Sequence, residues 1–216
     1  MRDHTDCKYW NYDNHPDRLV GLPQRCASLT AEALSGQPTV NGSIFETRPD
    51  HAVMFAGMTP PWCACLLGNY RGTPDCPDLT QCRVEIPHDR EVGIPPELVA
   101  AAMKDWEADC ISIMLAYDAW IAGDGSSASL ELRLKKFAVN AARAFERFLT
   151  IHPYIDGNGH CARLMLFRMM VWVGFPPRRW NIDAKLPLNE ELSLHRRRQE
   201  PGRLRIALAK FFGTIL

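Results

Sequence analysis

His152-Pro153-Tyr154-Ile155-Asp156-Gly157-Asn158-Gly159-His160-Cys161-Ala162-Arg163 lies between two apolar runs with helical spacing. Upstream, Leu134, Phe137, Ala138, Ala141, Ala144, Phe145 and Phe148 recur on one face and predict a helix from about 129 to 151. His152-Pro153 ends it, because a proline disfavours helical geometry in the residue before it. Downstream, a second helix is predicted from about 160 to 173, with Gly174 as its stop and Pro176-Pro177 preventing continuation. Two apolar helices joined by a Gly-Asn-Gly loop point to a mainly α fold.

The loop holds a coherent set of chemical groups. Gly157 and Gly159 can adopt backbone angles closed to other residues, so successive N–H groups can converge on an anion. The next helix adds the positive end of its dipole at the same point. Asn158 offers a side-chain donor, and Arg163 a forked guanidinium for a terminal phosphate. The Asp156 carboxylate is placed to hold Mg2+ bridging two phosphates, and His152 to act as general base. Taken singly, these residues read as a helix cap, a turn and a chain reversal; together they read as a polyphosphate site. A rival reading takes His152, Asp156 and His160, at i, i+4 and i+8, as transition-metal ligands. Pro153 and the glycines break the continuous helix that this spacing needs.

The remaining chain supports a helical domain. Pro95-Pro96 opens a helix running to about 122, with Trp106 on its apolar face. Short helices are expected around 28–34 and 50–58, and another from about 203 to 212. Gln81 to Ile86 alternates like an exposed strand or hairpin arm. Trp106, Trp120 and Trp172 read as core; Trp62 and Trp180 read as packing or the wall of a base pocket. The N-terminal residues 1–49 form a polar segment, and 50–216 the main domain.

With 25 basic and 25 acidic residues the net charge is zero, which gives no support to a nucleic-acid partner. Arg178-Arg179 and Arg196-Arg197-Arg198 read as solvated faces. No apolar run is long enough for a membrane span, and no export signal is evident near residue 1, so a cytoplasmic location is expected, with delivery into a host as an effector left open. The eight cysteines are then expected to be mostly reduced and buried; Cys161, at a helix N-terminus, could have a lowered thiol pKa.

The segment resembles the Fic signature HPFx(D/E)GN(G/K)RxxR, with Tyr154 for the phenylalanine and His160 for the first arginine. Phe148-Leu149-Thr150-Ile151 before it and Gly174-Phe175-Pro176-Pro177 after it are similar to the family, as are Phe55-Ala56-Gly57, Gly68-Asn69-Tyr70-Arg71-Gly72 and Val92-Gly93-Ile94-Pro95-Pro96. The resemblance covers about residues 50–180. It implies a helical bundle with a short β-hairpin flap near 79–92, and AMP transfer from Mg-ATP to a Tyr, Thr or Ser hydroxyl of a target protein. On that reading His152 is the base and Asp156 the metal ligand. Gly157, Asn158, Gly159, His160 and Arg163 bind the nucleotide, and Arg83, Val84 and Glu85 of the flap register the target. A second copy or an inhibitor protein would be a further partner. Ser28 to Ala33 resembles the family's inhibitory pattern, which would pair Glu32 with Arg163. The alternative function is a catalytically silent module of the same fold that binds a nucleotide or a protein.

Overall fold

The computed structural model describes residues 7, 10–36, 44–84, 92–186 and 201–215. It is mainly helical, with no strand among the described residues. The main helices are α1 (Gly21–Ser35), α2 (Arg48–Met54), α3 (Pro77–Thr80), α4 (Pro96–Ala122), α5 (Leu130–Ile151), α6 (Asn158–Trp172) and α7 (Pro201–Ile215). Short 3-10 turns cover Tyr12–Asn14, Pro16–Leu19 and Pro61–Leu66.

α5 is the axis of the bundle, packing against α4, α6 and α7. It starts where the Ser129 hydroxyl caps the Leu132 amide. It buries a stripe from Leu134 through Phe137, Ala141, Phe145 and Phe148 to Ile151, the face that the periodicity predicts. Trp106 of α4 is fully buried, and its indole N–H donates to the Ala144 carbonyl of α5 at 3.0 Å. α6 is buried almost all round, which fits its apolar run. Its one mid-helix cation, Arg168, forms an ion pair with the buried Asp50 of α2. Trp180 packs between Phe167 and Phe211.

Several elements differ from the expectation. α1 begins at Gly21 rather than 28, because Pro23 lies in the first turn, where its missing N–H costs nothing. Tyr12, Leu22, Ile44 and Phe45 lie in the same buried cluster as α4, α5 and α6. The hairpin flap is not shown. Pro77–Thr80 close a helical turn, and Gln81 to Val84 pair with no strand among the described residues. Glu85 and the residues to 91 lie outside them, as do Arg196 to Arg198. Val84 and Gly93 nevertheless approach closely at the base of that excursion.

Four of the eight cysteines are paired, contrary to the reduced state expected: Cys7–Cys63 and Cys65–Cys76. The turn Pro61–Leu66 carries Cys63 and Cys65 and supplies one partner to each bridge. Cys26, Cys82, Cys110 and Cys161 are free and buried.

Arg71 is completely buried and binds four backbone carbonyls. Its Nε donates to His152 at 2.8 Å, one Nη to Cys82 at 3.1 Å, and the other to Ile94 and Ile151 at 3.0 Å each. Its own amide donates to Pro153 at 2.8 Å. Arg71→Met would leave those carbonyls without donors, with an expected loss of roughly 3–5 kcal/mol. For a chain of this size that is a fall on the order of 10 °C in Tm, measurable by thermal denaturation. A loss below about 1 kcal/mol would mean that water replaces the guanidinium.

Candidate active site

α5 stops at His152, which adopts a left-handed conformation at φ 53° while its amide still bonds to Phe148. For a non-glycine residue this geometry is costly, and the Arg71 bond to the His152 carbonyl helps to hold it. The chain then crosses Tyr154, Asp156 and Gly157 and enters α6 at Asn158.

Three side chains fix that crossing. Tyr154 is fully buried; its hydroxyl meets the Thr47 hydroxyl at 2.7 Å, so the polar atom added to a phenylalanine is satisfied. His51 stacks on Tyr154 with ring centroids 4.0 Å apart. Its Nδ1 accepts from the Gly68 amide at 3.0 Å, so Nε2 carries the proton and donates to the Asp156 carbonyl at 3.1 Å. Burial lowers the His51 pKa to about 4, which keeps it neutral. The Asn158 amide group donates to the Tyr154 carbonyl and accepts from its N–H, both at 2.9 Å. The Asn158 oxygen and one of its two N–H groups are therefore used inside the loop.

Gly157 has φ 80°, and a Cβ there would lie 2.3 Å from the Phe55 ring. Only glycine can make this turn so close to the ring. The amides of His160 and Cys161 bond back to the Gly157 carbonyl, leaving those of Asn158 and Gly159 ahead of the first helical hydrogen bond. A Cβ on Gly159 would sit 3.0 Å from an Arg163 Nη, so the missing side chain makes room for the guanidinium over the helix start. Arg163 is 6% exposed and also bonds through Nε to the Ile182 carbonyl.

Burial raises the Asp156 carboxyl to about 6, against the opposing bonds from the Gly157 amide at 2.8 Å and the Tyr12 amide at 3.4 Å. His160 is 2% exposed and is lowered to about 4 by burial and by the Arg163 charge, so it is neutral near pH 7. Its Nε2–H then donates to Asp183 at 3.0 Å. Burial alone would raise Asp183, but hydrogen bonds from His160 and Arg18 hold its carboxyl below the usual range. Arg18 meets Asp183 at 2.8 Å and Asp13 at 2.9 Å. The Tyr12 ring closes the site, 5.2 Å from His160 and 4.9 Å from Phe55.

The sequence reading thus survives in part. His152, Asp156, Gly157, Asn158, Gly159, His160 and Arg163 are brought together at the α5–α6 junction. The ligand atoms of His152, Asp156 and His160 do not converge; among the described residues only Cys65, Cys76 and Asp78 do so, and the two cysteines are bonded to each other. Glu32 is exposed on α1, while Arg163 turns to Ile182. The Cys161 thiol is pushed well above its usual range by burial, the reverse of the activation expected. Arg83 is exposed beside Val84. His51, Asp183, Tyr12 and Arg18 carried no sequence signal, since each is distant from the motif and ordinary in its own surroundings.

Residues 89–170 match the model of the Fic/DOC family. The match covers less than half of the chain. It spans α4, α5, the loop and most of α6, and begins after the Phe55 to Gly72 stretch that supplies His51's neighbours and Arg71. A protein adenylyltransferase Fic from Drosophila ananassae is 30% identical over 69 residues, 32% of this chain and 13% of the fly protein. This chain therefore spans far less than the whole of that relative.

At the junction, burial moves the Asp156 carboxyl up to about 6 and holds His51 and His160 at about 4. The charged form of Asp156 prevails above about pH 6, so any Mg2+ affinity that rests on this carboxylate should rise through that pH and level off above it. Below it, affinity should fall about tenfold per pH unit, the limit for one required deprotonation. Calorimetric titration of Mg2+ with a non-hydrolysed ATP analogue checks this. Asp156→Asn should weaken binding and flatten the profile.

Proposed function

We propose that this protein transfers a nucleoside monophosphate, AMP in the first instance, from a Mg-nucleotide to a Tyr, Thr or Ser hydroxyl of a target protein. The observation that carries the reading is the junction itself. His152 is pinned at the end of α5 within four residues of Asp156, at the anion-facing start of α6. The Fic/DOC match over this segment and the name of the fly relative support the same chemistry.

His152 accepts the proton of the target hydroxyl as its oxygen attacks the α-phosphorus. The new O–P bond forms as the bond to pyrophosphate breaks, and the proton stays on His152 until product leaves. The Asn158 and Gly159 amides and the α6 dipole stabilise charge on the phosphate oxygens. Arg163 faces the distal phosphates from over the helix start. Asp156 would hold Mg2+: one half-buried carboxylate at the start of α6 suits an ion that keeps most of its ligands as water and substrate. The ion would offset phosphate charge when bound. Arg83 and Val84, leaving the core beside Gly93, are where the target segment would lie. A second reading, a silent nucleotide- or protein-binding module, draws on the neutral His160 and on the burial of Arg163.

The test is incubation with Mg2+ and ATP, GTP, UTP or CTP in the presence of candidate target proteins. Mass spectrometry should detect addition of one nucleoside monophosphate. His152→Ala should lower the rate by about 10²–10⁴-fold, the usual share of a general base. No addition with any of the four nucleotides would remove the transferase reading in favour of the silent module.

A further inference from the structure

The groups assigned to the nucleotide are covered. His160 and Arg163 are 2% and 6% exposed, too little to receive a polyphosphate as they stand. The N-terminal segment covers His160, while Arg163 is turned toward the Ile182 carbonyl. Tyr12 is 9% exposed and inserts its ring against His160 and Phe55, while its amide donates to Asp156. Arg18 crosses to Asp183, the partner of His160.

Beyond those contacts the segment is held by an ion pair from Asp17 to Arg25 of α1 at 2.8 Å and by Trp10, whose edge packs on His51. Leu19 and Val20 are 82% and 60% exposed, and the turns Tyr12–Asn14 and Pro16–Leu19 are short and largely local. Trp10 adds an N–H bond to the Met58 carbonyl at 2.9 Å and an edge contact with Phe55. Such a segment would exchange readily with solvent were it not tied down. It is tied covalently, since Cys7 is bonded to Cys63 with Cα atoms 5.6 Å apart. That bridge joins positions 56 residues apart in sequence, so it keeps the segment near the site even when its weak contacts open.

We infer that residues 10–20 are a removable cover over the nucleotide site, latched by the Cys7–Cys63 disulfide, and that exchange with a dithiol opens the site. The inference takes what is covered from the transferase reading above; the cover and its latch stand on their own contacts. A thiolate of the dithiol attacks one sulfur of the bridge, and the other leaves as a thiolate and takes a proton. The second thiol of the reductant then displaces the first, giving Cys7 and Cys63 as thiols and the reductant as its own disulfide. Both cysteines are 1% exposed, so exchange proceeds through local opening of the segment. The second bridge, Cys65–Cys76, spans only 11 residues and does not hold the segment, which makes it an internal control.

The experiment compares oxidised protein, dithiothreitol-treated protein, Cys7→Ser/Cys63→Ser, Cys65→Ser/Cys76→Ser and Tyr12→Ala. Hydrogen exchange reads the amides of the segment and of Asp156 to Arg163, and calorimetry reads Mg-ATP affinity. Reduction and the Cys7/Cys63 double variant should each raise exchange in both regions at least tenfold and tighten Mg-ATP binding at least tenfold. The Cys65/Cys76 variant should do neither. Tyr12→Ala, which leaves both anchors in place, should also tighten binding and guards against misfolding of a cysteine variant.

Unchanged exchange on reduction overturns the latch, as does tightening in Tyr12→Ala without tightening in the Cys7/Cys63 variant. Eight free thiols by alkylation of the untreated protein overturn it too. If exchange rises as expected but no form binds Mg-ATP, the cover stands, the opening of a nucleotide site is refuted, and the transferase reading fails with it.

Discussion

Arg71 places a full positive charge where the negative ends of several peptide dipoles converge, and the site is built around that contact. Two of its four carbonyls, Ile151 and His152, belong to the end of α5, where the helix dipole and unbonded carbonyls favour a cation. The other two, Cys82 and Ile94, flank the excursion between α3 and α4. One guanidinium thus closes the helix, holds His152 in its left-handed turn and anchors the segments beside it. Burial lowers its pKa only from a very high starting point, so the charge persists and the carbonyls stay paired.

With α5 ended there, the loop to α6 can be polar inside an apolar bundle, provided each polar atom is satisfied. Asn158 closes on Tyr154, His51 bridges Gly68 and Asp156, and Thr47 meets the Tyr154 hydroxyl. These bonds preorganise the start of α6 and keep water out. The same dryness moves the ionisable groups: burial raises Asp156 and lowers His160 and His51. The local dielectric that makes an oriented amide or guanidinium effective toward a phosphate also makes each unpaired charge costly.

The helices and the break between them were legible because both write themselves into short stretches of sequence. The α5 stripe from Leu134 to Ile151 has a period, and Pro153 and the two glycines mark the break. The supports were not legible, because they depend on tertiary contacts. Nothing around His51 distinguishes a loop-fixing histidine from any other, and Asp183 acquires its role only by meeting His160. Asn158 shows the same limit: its side-chain donor is evident in the sequence, its tie to Tyr154 only in the fold. The cysteines misled because pairing is a matter of proximity, which Pro61–Leu66 creates and spacing does not reveal. The flap expected near 79–92 is not shown: Gln81 to Val84 follow the Pro77–Thr80 turn without pairing, and 85–91 lie outside the described residues.

His160 is better understood as part of a charge arrangement than as a weakened arginine. A guanidinium at 160, packed against Tyr12 and Phe55 and close to Arg163, would add a second buried cation to the first turn of α6. A neutral imidazole avoids that cost and still reaches Asp183. The Asp183 carboxylate is then shared between His160 and Arg18, so part of the site's positive charge resides on the N-terminal segment rather than on the helix. Moving Arg18 away leaves Asp183 to His160 alone and removes a neighbouring cation. Both changes strengthen the imidazole's hold on a proton. The proton affinity at position 160 is therefore coupled to the position of Arg18, while burial and Arg163, the larger influences, hold the imidazole neutral.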